Sequence, residues 1–120
     1  MRERNRAELR LVWDGREYAC RPTHRVIMMI EEEVLMHRLA RQIATGPERI
    51  PASHLCWVVY CLLSKAGAPV TSDAVYNAAL DEEISTETLE TVATWIIAEV
   101  FGVAPKPREE DGEAAPEGKS

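Results

Sequence analysis

Apolar and polar positions follow a period of two only near the start of the chain. Leu9, Leu11 and Trp13 alternate with Glu8, Arg10 and Val12, and Tyr18 and Cys20 are separated by Ala19. Strand side chains point to opposite faces in turn, so these runs predict two strands sharing one apolar face of Leu9, Leu11, Trp13, Tyr18 and Cys20. Between them stands Asp14-Gly15, a pair that accepts the positive φ of a type I′ turn. The expectation is a β-hairpin, which is only marginally stable alone and must lay its apolar face on other elements.

The period then lengthens. Pro22 cannot continue a strand ladder, Thr23 is a good helix N-cap, and Gly46-Pro47 is a stop signal, so one long helix is predicted over 23–45. On a helical wheel it carries two apolar stripes. Met28, Met29, Leu35, Met36, Leu39, Ala40 and Ile43 form the broader one, interrupted by Glu32, and Val26, Ile27, Ile30 and Val34 form the other. A surface helix needs only one such stripe. The second predicts a helix that is either sandwiched within the fold or shared with a partner.

The next apolar run, Leu55 through Leu63, is hydrophobic on every side and is bounded by Ser53 and by Gly67 with Pro69 beyond. Its β-branched and aromatic residues give it some strand character, but its end signals favour a helix over 53–66, placed at the centre of a bundle. Thr71 or Ser72 caps a third helix reaching about Leu80, with Asp73 well placed against its N-terminal dipole. Ser85 or Thr86 caps a fourth, which ends at Phe101 before Gly102. Leu89, Val92, Ala93, Ile96 and Val100 form its core stripe, and Trp95 stands off it. The fold class expected is mainly α: an N-terminal β-hairpin, a small bundle of about four helices and a disordered C-terminal tail. Residues 1–6 read as a mobile arm, 7–102 as one domain, and 103–120 as a disordered acidic tail rich in Pro and Gly.

Charge changes this picture in one respect. The net charge is −6, but residues 1–49 hold ten Arg against eight acids, and residues 50–102 hold Lys65 alone against seven acids. That polarity suits a solvated surface, head-to-tail association of copies, or a charged partner. The acidic domain repels phosphate, and the 73–80 helix offers only Asn77 for base contacts, so no nucleic-acid partner is expected. No apolar run approaches the roughly 18 residues of a membrane span, so no membrane partner is expected. Three cysteines form no disulfide framework and no apolar leader precedes them, which points to a reducing cytoplasm.

Candidate chemistry is sparse. Cys56 and Cys61 diverge by about 140° on a helix, and no paired Cys or His spacing exists for zinc. Glu33 and His37 stand four apart, a spacing that reads more simply as a helix-surface ion pair than as an acid–base couple. Cys20 has Arg21 beside it, the only basic neighbour of a thiol that sequence reveals. No Gly-rich phosphate loop is present. The expectation is a non-enzymatic chain with no metal and no cofactor. Its distinguishing feature is apolar and aromatic surface, suited to adaptable binding of apolar helices. The candidate partner-binding residues are Val26, Ile27, Ile30, Val34, Trp57 and Trp95.

The hairpin sequence Leu-Arg-Leu-Val-Trp-Asp-Gly-Arg-Glu-Tyr-Ala-Cys-Arg-Pro-Thr over 9–23 opens a recognisable order of signals. It is followed by Ile30-Glu31, Leu39-Ala40, Leu62-Leu63 with Ala66-Gly67, and Val70-Thr-Ser-Asp-Ala-Val75. Over about residues 8–102 this order resembles the tail assembly chaperones of long-tailed bacteriophages and gene transfer agents. The resemblance implies a chaperone in the cytoplasm of the bacterial host, made late in a viral or prophage programme. Such a protein binds the long helical tape measure protein, helps recruit tail tube protein subunits and acts as several copies. It also implies a longer form made by ribosomal frameshifting, for which codons of Glu117-Gly118-Lys119 would suit. The alternative is a structural tail component retained in the particle.

Overall fold

Asp14 and Gly15 both adopt left-handed backbone, with φ of 54° and 79°, and close the turn that the Asp-Gly pair predicts. This turn joins β1 (Leu9–Trp13) to β2 (Arg16–Cys20) in an antiparallel register pairing Leu9 with Cys20, Leu11 with Tyr18 and Trp13 with Arg16. That register puts the five predicted apolar residues on one face, and they pack against the core. Glu8 accepts from Arg21 at 2.8 Å and Arg10 pairs with Glu17 at 3.2 Å, tying the solvent side together. The computed structural model describes residues 8–102; the arm and tail expected at 1–6 and 103–120 lie outside them.

The long helix predicted over 23–45 is two helices. α1 (His24–Ile30) is capped by Thr23, whose hydroxyl accepts from the Val26 N–H, and α2 (Met36–Thr45) starts afresh after Leu35 takes extended backbone. No Gly or Pro marks the break, but charge does. Glu31, Glu32 and Glu33 crowd the C-terminal end of α1, where the helix dipole disfavours anions, and precede the N-terminus of α2, where it favours them. The Glu31 carboxylate goes further and accepts from the Met36 N–H at 3.1 Å, filling the capping role that Leu35 cannot.

This break explains the two stripes. On an unbroken helix Ile30 and Met36 would lie about 120° apart. Restarting the helix turns both groups inward: Val26, Ile30 and Val34 are 2%, 0% and 3% exposed, and Met36 and Leu39 are buried as well. Met28 and Leu35, expected on the main stripe, are instead 57% and 46% exposed. The two halves serve different neighbours, since α1 packs on the central helix and α2 packs on the last one. Glu32 lies exposed in the turn and interrupts no apolar face.

The central helix is α3 (Ala52–Lys65), with Leu55, Cys56, Val58, Val59, Cys61, Leu62 and Leu63 buried. It touches β2, α1, α4 (Ser72–Leu80) and α5 (Thr86–Phe101), as its all-round hydrophobicity predicts. Thr71 caps α4 and Ser85 caps α5 through their side-chain oxygens. A short 3-10 helix, Pro47–Arg49, joins α2 to α3. The architecture is thus mainly α with an N-terminal hairpin, and the described residues form five α-helices where about four were predicted, because the first is divided.

Trp57 holds the division in place. Its indole N–H donates to the carbonyls of Ile30 at 3.1 Å and Met29 at 3.3 Å, and the Ile30 carbonyl also accepts from the N–H groups of Glu33 and Val34. Replacing Trp57 by Phe keeps the ring and removes the donor, and is expected to lower stability in urea unfolding by about 1–2 kcal/mol. At the end of α4, Glu82 sits at φ 62°, a left-handed conformation that costs a side-chain-bearing residue about 1 kcal/mol. Glu82→Gly is therefore expected to raise the thermal midpoint, measured by circular dichroism.

Candidate functional site

The six residues singled out by sequence do not form one surface. Val26, Ile30 and Val34 are core residues, and Ile27 packs partly buried against that core, so the α1 stripe is covered by the protein itself and not left for a partner. Trp57 is half-buried and its polar atom is committed to the α1 carbonyls. Tyr60 packs beside it, ring centroids 5.2 Å apart and tilted 42°. Trp57 also edges a depression of about 420 Å³ at the N-termini of α3 and α4. Its wall is mixed, with Glu33, Asp73, Ser53, Ser72 and Tyr76 around it. His54 lines it too, and its buried Nδ1 has no hydrogen-bond partner among the described residues.

Trp95 is differently placed. On α5, Leu89, Val92, Ala93 and Ile96 point into the core, as the sequence pattern predicts. The opposite side carries Glu87, Glu90, Thr91, Thr94, Trp95, Ala98 and Glu99, a run at intervals of three and four that makes one continuous helical face. With Pro47 of the 3-10 helix as its far wall, this face lines an open groove of about 500 Å³. The groove is lined by Trp95 and by the small side chains of Thr91, Thr94 and Ala98, with carboxylates toward both ends of the helix. Glu87 lies in the first turn of α5, where the dipole favours it, and Glu99 in the last, where the dipole disfavours it and no basic residue shares the turn. Every ion pair among the described residues lies on or beside the hairpin, so none of these three carboxylates is paired within them.

Covalent and metal chemistry find little support. All three thiols are buried and free. Burial pushes Cys20 up to about 11 despite the neighbouring Arg21, which is turned to Glu8, and it also raises Cys56. Cys61 is pushed up to about 12 by burial first and by the charge of Glu32 second, with Lys65 opposing. Such thiols are poor nucleophiles at neutral pH. Among the described residues no three His, Cys, Asp or Glu side chains converge as a metal site, and Glu33 and His37 form no ion pair. No helix of the described residues is long and apolar enough to cross a membrane.

Comparison with known protein families, with characterised proteins and with solved structures found no match. The groove's own chemistry is what remains: an aromatic and several small side chains with carboxylates beside them, along one helix.

Sequence patterning singled out Trp95 because it stood off the core stripe. The rest of the groove was missed, although its signal was present. Thr91, Thr94 and Ala98 recur at the same helical spacing as a second, weakly apolar stripe, and only the position of Pro47 needed the fold.

Two outcomes follow from the thiols. Alkylation by iodoacetamide near neutral pH is expected to be slow in the folded protein and complete only on unfolding, followed by mass spectrometry. Because folding raises the thiol pKa values above the unfolded value of 9.0, the folded state holds more protons at high pH. The corresponding stability is fully present below about pH 9 and is lost as pH rises toward 11 and 12, visible as a falling urea midpoint.

Proposed function

We propose that this protein is a tail assembly chaperone of a long-tailed bacteriophage, prophage or gene transfer agent. It binds apolar helical stretches of the tape measure protein in the host cytoplasm, helps recruit tail tube subunits, and performs no catalysis. The observation that supports this most is the α5 groove around Trp95. The apolar stripes of α1, α2 and α3 are used internally apart from Met28 and Leu35, whereas α5 buries one face and lines a groove with the partly buried Trp95 on another. Helix-in-groove recognition uses surfaces of this kind, with one aromatic anchor supplying much of the energy.

The sequence resemblance over the hairpin and the Arg21-Pro22-Thr23 helix entry supplies the tail-assembly context, and the acidic domain suits a chaperone whose copies must not aggregate around an apolar client. A tail component retained in the particle would need a permanent interface. Such interfaces bury larger and more apolar areas than a single open groove provides.

Co-expression with the long helical tape measure protein tests this reading. The chaperone is expected to keep that protein soluble, and Trp95→Asp to abolish the effect without unfolding the domain. Ile30→Asp, by contrast, is expected to unfold it. Purified particles are expected to lack the protein; stoichiometric presence there would assign it to the tail itself.

A further inference from the structure

We infer that the α5 groove selects a cationic amphipathic helix, one that places an apolar residue on Trp95 and Lys or Arg side chains against Glu87, Glu90 and Glu99. This deepens the client-binding reading and rests on it. The argument starts from what the groove lacks. Three carboxylates line the same groove as Trp95, none is paired among the described residues, and Glu99 faces the unfavourable end of its own helix dipole. One exposed and two half-buried acids beside an apolar groove favour a partner that brings the opposite charge, and they disfavour one that brings its own.

The shape points to a helix. Glu87 and Glu99 are twelve residues apart on α5, a span of about 18 Å, or just over three helical turns. Thr91, Thr94 and Ala98 are small enough to let a second helix approach at the usual 8–10 Å axis separation, and Trp95 between them supplies the anchor. A partner helix laid along α5 therefore needs basic residues roughly three turns apart with an apolar patch between them. Nucleic acid and anionic membrane are disfavoured by the same carboxylates. A second copy docking through the same face would bring acid against acid. A second copy docking through its exposed Arg38 and Arg41 is the remaining rival, and the test separates it.

The probe is a synthetic amphipathic peptide of about 20 residues, built from Leu, Ala and Arg, with its Arg residues flanking the apolar stripe at both ends. Its control has Glu in place of every Arg. In calorimetric titration of the full chain, the Arg peptide is expected to bind and the Glu peptide not to. Affinity for the Arg peptide is expected to fall with added salt and to drop about tenfold or more in Trp95→Ala and in the combined Glu87→Gln, Glu90→Gln, Glu99→Gln variant. Circular dichroism of both variants checks the fold, and Glu17→Gln on the hairpin serves as a folded control with unchanged affinity. Equal binding of the two peptides, or affinity unmoved by either groove variant, overturns the inference. So does sedimentation showing that the wild type self-associates and that the triple Gln variant or an Arg38→Gln, Arg41→Gln variant is monomeric, because the groove then belongs to a second copy. Failure with the peptides alongside successful solubilisation of the tape measure protein would remove this groove and leave the chaperone reading standing on another surface.

Discussion

The structure depends on where the chain stops being one helix. The Ile30 carbonyl accepts from the Glu33 and Val34 N–H groups and from the Trp57 indole, and five residues after α1 ends its register is abandoned at Leu35. This is a constraint of phase. Apolar residues spaced for two different faces can all be buried only if the helix is interrupted between them. Once it is, α1 serves α3 and α2 serves α5, and the all-apolar α3 is enclosed from several sides by helices and by β2. The Glu31 carboxylate and the Trp57 indole fix the interruption from opposite sides, one capping the new helix and the other occupying the carbonyls of the old.

Function follows from the same constraint. An uninterrupted helix over 23–45 would have exposed a long apolar face and made it the natural client surface. Because the break turns Val26 and Ile30 inward, only Met28 of the α1 apolar residues stays largely exposed, and the aromatic groove is the one on α5. Trp57 and Trp95 illustrate the division. Both are half-buried aromatics on helices beside surface depressions, yet Trp57 donates to backbone carbonyls across the α1 junction, while Trp95 makes no hydrogen bond among the described residues. The first braces the fold, and the second packs partly on the core while lining the groove proposed for the client.

Much of this was legible in the residues. The Asp14-Gly15 turn, the hairpin face, the three later helices with their Thr71 and Ser85 caps, and the central place of α3 all follow from patterns with a local physical cause. The break at 31–35 was not, because neither Gly nor Pro signals it. Its causes are a charge run read against two opposed helix dipoles and a tertiary hydrogen bond from a residue more than twenty positions away. Stripe membership was misassigned as a consequence, which carried Val26, Ile30 and Val34 into the expected partner surface and left the weak Thr91, Thr94 and Ala98 stripe out of it. Trp95 alone joins the two views, since it is off the core face by its spacing and on the groove by the fold.

The central claim is that client binding falls on the outer face of α5 and leaves α1 untouched. Amide hydrogen exchange on the chain alone and with the tape measure protein proposed as its client measures this directly. The account predicts slowed exchange on binding over 86–101, centred on Trp95, with 24–30 unchanged. Protection gained in α1 or the hairpin while α5 exchanges as before would contradict it.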